Sequence, residues 1–371
     1  MSQPTIKDEL NRVLDHYNLG VVRRAQRIEG GFVNDNWVIE TTGGRFFLKR
    51  RHPDLRNPGI ICFQHALVAH LRGMGFPAPD ILPTRSGETF LKHNGEFYEI
   101  QEYIEGAPCE HVNPENFRAA AATLAHYHIC VKDFAAQPTR DHSDLYDPAI
   151  LAKHLTELKK TWEAERDSTL AKIVQKLESQ AADLTARFAE HEHLPNLVIH
   201  GDYHCGNLLF KGNRIVGVVD YDKACWQPRI LELAEALIYF ASPSPGHLRH
   251  LVYPGVLECD KFASFLHHYS YGISSADNKP AQWHDSPRPI HENNRDCFPY
   301  HAILQIHEAN ALPDYIRCIW LSVSLQRLLE IGYRPTIALE ALHEILSLGT
   351  WSAENSQQMA KICRSAIGRS G

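Results

Sequence analysis

Residues 196–224 read NLVIHGDYHCGNLLFKGNRIVGVVDYDKA, and no other stretch restricts the fold of this chain as much. Short apolar runs from Leu208 to Phe210 and from Ile215 to Val219 flank a Gly212-Asn213 turn, which predicts a β-hairpin. The same stretch sets two His, three Asp and three Asn into and around those strands. Buried polar groups need partners, so the stretch is either a loop and hairpin that hold metal and phosphate, or ordinary surface decoration. Asn207 lies five residues before the turn and Asp220 seven after it, so a hairpin brings them nearly opposite each other. Their oxygens then suit one cation, and magnesium prefers such ligands, with only one or two from the protein.

The rest of the chain frames this island. After a short amphipathic opening helix, residues 21–51 predict three antiparallel strands broken at Gly30-Gly31 and at Gly43-Gly44. A helix follows over 60–72, with Ile60, Phe63, Leu67 and Leu71 on one face, and a second hairpin turns at Asn94-Gly95. From Pro114, with Asn113 as cap, an Ala-rich helix begins, and helix dominates from there to the end. The expected architecture is α+β and bilobal. Residues 1–105 form an N-lobe of antiparallel sheet with one helix, and residues 106–371 form a mostly helical C-lobe that contains the 198–224 loop and hairpin.

An Asp five residues before an Asn, with a second Asp beyond a hairpin, is the order of a kinase catalytic core. Phosphoryl transfer needs a carboxylate to orient the acceptor hydroxyl and take its proton. It also needs metal ligands that neutralise charge on the phosphates. Asp202 fits the first role, and Asn207 and Asp220 fit the second. The same template asks upstream for a phosphate-covering turn, supplied by Gly30 and Gly31, and for a lysine on the next strand, supplied by Lys49. Arg50 and Arg51 beside it read equally as a solvated strand end.

On the pieces EGGFVNDNWVIETTGGRFFLKR, YEIQEYIEG, VIHGDYHCGNLLF and GVVDYDKACWQPRILELAEAL, the chain from about Gly30 to Leu237 resembles the aminoglycoside phosphotransferase superfamily of small-molecule kinases. Within it, the chain is most similar to the type II homoserine kinases. The resemblance implies ATP and Mg2+ as cofactors and Asp202 as the catalytic base. It makes Asn207 and Asp220 magnesium ligands, with Asp222 a weaker candidate for the metal shell, and Lys49 the phosphate-binding lysine. Gln101, Glu102, Tyr103 and Ile104 become the hinge beside adenine, and His200 a brace for the catalytic loop. One departure stands out. Gln64 occupies the place of the glutamate that usually pairs with the lysine, which leaves Glu96, Glu99 and Glu102 as substitute partners. Glu232 likewise stands in ELA, where the family commonly has DLA.

The acceptor reads as a small-molecule hydroxyl. Gly201 stands where a phosphate-switched kinase carries Arg, and about nine residues separate Asp220 from the helix near Ile230, too few for an activation segment. From Leu231 to Gly371 there are 14 Asp and Glu against 11 Lys and Arg, a net of −3, which is no bulk trap for a polycation. Arg317, Arg327 and Arg334 are candidates to meet a substrate carboxylate, as homoserine or a related amino alcohol requires. Aminoglycosides, sugars and choline-like alcohols are the in-class alternatives, and a nucleotide-binding pseudokinase is the reading from another class. Trp226 and residues 239–247 are candidate acceptor-pocket lining, while His126 and His128 read as packing residues. His200 and His204 have metal-like spacing but are interrupted by glycines, which argues against zinc.

The formal charge of −6 is spread along the chain, so nucleic acid is not expected as a partner. No run approaches the roughly 18 apolar residues of a membrane span. Nine scattered cysteines without a C-x-x-C pair point to a reducing, cytoplasmic setting.

Overall fold

The structure, a computed structural model, describes residues 6–28, 33–109, 113–135, 146–162, 168–191, 193–242, 257–271, 304–331 and 335–368. Gly30, Gly31, Arg334 and residues 243–247 of the expected acceptor lining lie outside the described residues.

Period-two burial builds the first sheet. In β2 (Asp35–Thr41) the side chains of Trp37, Ile39 and Thr41 are buried and those between them half-buried. Helix α1 (Ile6–Leu14) lays Leu10, Val13 and Leu14 on this face, where Leu48, Tyr98 and Ile100 complete the N-lobe core. Each such aliphatic side chain contributes roughly 1.5–3 kcal/mol on burial. With β1 (Val22–Arg27), β3 (Gly44–Arg50), β4 (Ile81–Leu82), β5 (Leu91–His93) and β6 (Glu96–Glu102), the sheet runs β1-β2-β3-β6-β4, with β5 also on β6 and every pairing antiparallel. The turn before β6 has φ of 51° at Asn94 and 83° at Gly95, the left-handed pair that an Asn-Gly hairpin favours.

Helix α2 (Pro58–Gly73) starts two residues earlier than its apolar pattern predicts. The reason is local: the Asn57 side chain accepts from the Gly59 and Ile60 amides, and Pro58 needs no partner for a missing N–H. The helix covers the sheet face opposite α1, so β6 is buried on both sides and its Glu99 points toward α2. That placement matters for the site.

The C-lobe opens with β7 (Ala107–Pro108) and α3 (Pro114–Val131), capped by Asn113 through the Glu115 and Asn116 amides. Helices α4 (Pro148–Trp162) and α5 (Ser168–Ala189) lead to β8 (Asn196–Ile199). The expected hairpin is β9 (Leu208–Lys211) with β10 (Arg214–Val218), followed by β11 (Cys225–Pro228). Helices α6 (Arg229–Ala241), α7 (Cys259–Tyr271), α8 (Ile306–Ile331) and α9 (Pro335–Gly368) complete the lobe. The pattern did not predict β7 pairing with β9, or β11 with β8, because these short pairings are made by tertiary contact. At β10, a Cβ on Gly217 would lie 2.8 Å from Ile104 Cδ1, so the chain between the lobes packs directly on the hairpin at a position that suits a glycine. Among the described residues no helix is long and apolar enough to cross a membrane.

Candidate active site

Register brings the loop residues together. The hairpin pairs Arg214 with Lys211 and Ile215 with Phe210, but Gly217 with Leu209. The extra residue, Val216, is a bulge that shifts the strand by one. Val219 therefore donates from its amide to the Asn207 carbonyl at 3.0 Å, and Asp220 follows next to Asn207. Asp220 itself has φ 68° and ψ 70°, left-handed for a residue that has a Cβ. Such a backbone persists only where its surroundings over-determine it, and it turns the carboxylate toward the N-lobe.

The loop that carries Asp202 hangs from buried polar anchors. His200 is fully buried, and its ring with the proton on Nε2 donates to Val219 O at 3.1 Å while Nδ1 accepts from the Asp202 amide at 3.3 Å. Burial holds its basicity below the ordinary histidine value, which favours this neutral form. Gly201 has φ +75°, and a Cβ on it would sit 2.5 Å from Lys223 O, so the arginine of a phosphate-switched kinase does not fit. The Gly201 amide donates to Glu232 Oε1 at 2.9 Å, and Glu232 Oε2 lies 2.8 Å from His128 Nε2. His128 Nδ1 in turn meets the Tyr269 hydroxyl at 2.6 Å. His128 is therefore a polar anchor and not a packing residue, because a buried carboxylate on α6 needs its ring.

Around Asp202, the Asn207 Nδ2 donates to Asp202 O at 2.9 Å and to Asp202 Oδ2 at 3.1 Å, which leaves Asn207 Oδ1 as its outward acceptor. His204 Nε2 stands 3.6 Å from Asp202 Oδ2, and Lys223 Nζ donates to Asp202 Oδ1 at 2.5 Å. Burial alone would raise the Asp202 carboxyl, but His204 and Lys223 hold it well below the usual carboxylate range. Behind Lys223 stands Glu235 on α6, 1% exposed, which accepts from the Tyr146 hydroxyl at 3.0 Å. Burial pushes its carboxyl up to about 8, against the pull of Lys223.

Facing this loop is Lys49, 3% exposed, with Nζ 3.0 Å from Asp220 Oδ1 and 3.1 Å from Asp222 Oδ1. Burial works against its charge, yet Asp220 and Asp222 raise the ammonium above its ordinary value. Arg51, read above as a solvated strand end, is buried. It donates to Glu99 Oε2 at 2.8 Å and to Gln64 Oε1 at 2.7 Å, and its Nη1 lies 3.3 Å from Asp222 Oδ1. Arg50 is half-buried on the other face and bonded to Asp35. Burial would raise Glu99, but Arg51 and His65 hold it well below the ordinary value.

Several expectations need correction. Gln64 does not stand opposite Lys49: its amide bridges Arg51 and the Asp222 carbonyl, at 2.9 Å to the latter. Of the glutamates named as substitutes, Glu99 reaches the cluster but pairs with Arg51, Glu96 pairs with Arg56 and Glu102 binds Arg72 at 2.8 Å. The lysine's carboxylates come from the other lobe. Arg317 is tied to Asp183 at 2.6 Å and Arg327 lies 3.5 Å from Glu330, so each of these guanidiniums already faces a carboxylate of the chain itself. Asp222, named for the metal shell, accepts from N-lobe donors: Lys49 and Asn34 through its carboxylate, and Gln64 through its carbonyl. Asn34, Arg51, Lys223, Glu235 and His204 were missed as site residues. Gln101 donates to Glu99 Oε1 at 2.7 Å, Tyr103 lies under the Arg45 guanidinium at 4.0 Å, and Ile104 rests on Gly217. Trp226 is 41% exposed on β11.

The residues fit a hard cation. Asp220 keeps 42% of its side chain open, and burial together with the charges of Asp222 and Asp202 pushes its carboxyl up despite Lys49. A divalent ion held by Asp220 and Asn207 Oδ1 would relieve that crowding with oxygen ligands.

A loop aspartate, a hairpin that carries an amide and a carboxylate, and a lysine from a β-sheet lobe form one kinase-like constellation. Residues 24–252 match the family described as "Phosphotransferase enzyme family". The chain belongs to that family. Among its relatives, the homoserine kinase of Phenylobacterium zucineum is 27% identical over 320 residues, which cover 83% of this chain and 95% of that one. The homoserine kinase of Nitrobacter winogradskyi is 28% identical over 218 residues, 59% of this chain and 64% of that protein, so the match spans just under two thirds of this relative's length. The amicoumacin kinase hAmiN, solved in complex with AMP-PNP, Ca2+ and Ami, superposes with a TM-score of 0.59 at 13% identity. That superposition covers 98% of this chain and 93% of hAmiN, which shows a shared fold. By family this chain is a phosphotransferase, with an antiparallel N-lobe and a helical C-lobe.

Proposed function

We propose that this phosphotransferase moves the γ-phosphoryl group of ATP to the hydroxyl of a small metabolite, with homoserine or a related amino alcohol as acceptor and magnesium as metal. The observation that carries this reading is the meeting of Asp202, Asn207 and Asp220 with Lys49 where the lobes face each other. The acceptor rests on the names of two relatives, both homoserine kinases. ATP and a divalent cation draw support from the AMP-PNP and Ca2+ of the amicoumacin kinase complex.

In this reading residues 1–105 hold the nucleotide, with Gly30 and Gly31 over the phosphates, Lys49 on them, and residues 101–104 beside adenine. Residues 106–371 carry the catalytic loop and the acceptor site. Asn207 and Asp220 would hold magnesium, which supplies charge neutralisation on the β- and γ-phosphates. Asp202 accepts a hydrogen bond from the acceptor hydroxyl. Because Lys223 and His204 keep it a weak base, its first contribution is orientation, and it takes the proton late, as a loose phosphoryl transition state allows. A reducing, cytoplasmic setting completes the proposal. A nucleotide-binding protein without turnover is the poorer reading, since Lys49 keeps two carboxylate partners although α2 carries Gln64.

The test is to incubate purified protein with ATP, magnesium and a panel of amino alcohols, sugars, choline-like alcohols and aminoglycosides, following ADP release with Asp202→Ala as control. Release that depends on homoserine or an amino alcohol and vanishes in the variant supports the reading. Release with another class replaces the acceptor, and none with any acceptor sinks the kinase.

A further inference from the structure

Asp222 belongs to the C-lobe turn, two residues past Asp220, yet its polar contacts run to the N-lobe. Oδ1 accepts from Lys49 at 3.1 Å and faces Arg51 Nη1 at 3.3 Å. Oδ2 accepts from Asn34 Nδ2 at 2.5 Å, and the backbone carbonyl accepts from Gln64 Nε2 at 2.9 Å. These partners come from the start of β2, from the end of β3 and beyond, and from α2. Asn34, Lys49, Arg51 and Gln64 are all buried, as is Asp222. Asn34 is held in turn, since its Oδ1 accepts from the His52 amide at 2.9 Å.

From this geometry we infer that Asp222 is a positioning residue, the latch that joins the lobes and holds Lys49 in place, and not a metal ligand. The inference rests on the nucleotide site proposed above. Its logic follows from the two carboxylates on Lys49. Asp222 sits with Asn34, Arg51 and Gln64 in one buried cluster, so it keeps the ammonium aimed at phosphate whether or not a cation draws Asp220 away. A carboxylate whose two oxygens already face an ammonium, a guanidinium and an amide has little left to offer a metal. It also explains how the chain dispenses with a glutamate on α2: Gln64 donates to the latch, which a carboxylate at that position would not do.

The experiment is calorimetric titration of the full chain with ATP, once with magnesium and once with EDTA. Wild-type binding is the check on the nucleotide site itself, so failure there counts against the proposed function and not against the latch. Asp222→Asn is expected to weaken ATP binding by at least about tenfold in both titrations, as loss of one member of a buried charge cluster does. Asp220→Asn is expected to lose only the magnesium-dependent part. A loss in Asp222→Asn confined to the magnesium titration would make Asp222 a ligand after all and overturn the latch, and so would unchanged affinity in both. If Asp222→Asn does not fold, Asn34→Leu and Gln64→Met remove latch donors from the N-lobe side. Each is then expected to lower affinity equally with and without magnesium, and no loss in either variant overturns the inference.

Discussion

Lys223 Nζ lies 2.5 Å from Asp202 Oδ1, and the two residues come from different segments, the turn after Asp220 and the catalytic loop. Lys223 keeps 47% of its side chain exposed, so in the proposed reaction it would stay beside Asp202 and still face the transferred phosphoryl group. Replacing Lys223 with Met is expected to lower kcat roughly 10-fold to 100-fold, with KM for ATP changed by less than about threefold. Steady-state kinetics with ATP varied at saturating acceptor decides this. A rise in KM alone would place Lys223 in ground-state binding.

The roles of the two central aspartates separate in the same way. Asp202→Ala is expected to reduce turnover by roughly 100-fold to 10,000-fold while ATP still binds. Asp220→Ala is expected to weaken nucleotide binding only when magnesium is present. Equal loss of binding and turnover in both variants would undo the assignment.

Gln64→Glu tests the corrected place of that residue. The substitution keeps an acceptor for Arg51 but replaces the donor to the Asp222 carbonyl with a carboxylate, close to the charges of Asp222 and Glu99. We expect a loss of roughly 1–3 kcal/mol in unfolding free energy and no gain in ATP affinity. Denaturant unfolding and nucleotide titration measure the two. Tighter ATP binding would mean that the side chain reaches Lys49.

Glu235 sets a pH dependence whose sign can be worked out. Its folded carboxyl is raised from 4.5 to about 8, so the folded chain keeps a proton that the unfolded chain has lost across that range. Stability therefore falls as pH rises from about 4.5 to about 8 and is flat above, by up to roughly 1.4 kcal/mol per unit. Glu235→Gln removes this slope. Thermal unfolding should find the variant more stable than wild type at pH 8.5 by roughly 2 kcal/mol or more, and equal or slightly weaker at pH 5. A difference that does not vary with pH would show that Glu235 is ionised when folded.

How far the site can be read ahead differs from residue to residue. Asp202, Asn207 and Asp220 stand within one loop and one hairpin, where spacing and a Gly-Asn turn nearly dictate proximity. Even there, the bulge at Val216 sets the final register. Arg51 illustrates the opposite case. Three consecutive basic residues at a strand end look alike in a sequence, yet Arg50 faces Asp35 and Arg51 faces Glu99, because α2 covers only one side of the sheet. His128 reads as packing on an Ala-rich helix because its partner, Glu232, is 104 residues away.

By itself, then, the sequence determined the elements and the local constellation: hairpins from turn residues, helices from caps and apolar period, and the loop aspartate with its amide and second carboxylate. These depend on interactions between residues close along the chain, which patterning records. Only the tertiary structure decided the charge partners. Lys49 finds Asp220 and Asp222 across 171 and 173 residues, and Gln64 finds Asp222 across 158. A buried ion pair depends on which faces meet and how water is excluded from between them, and no spacing along one chain encodes that.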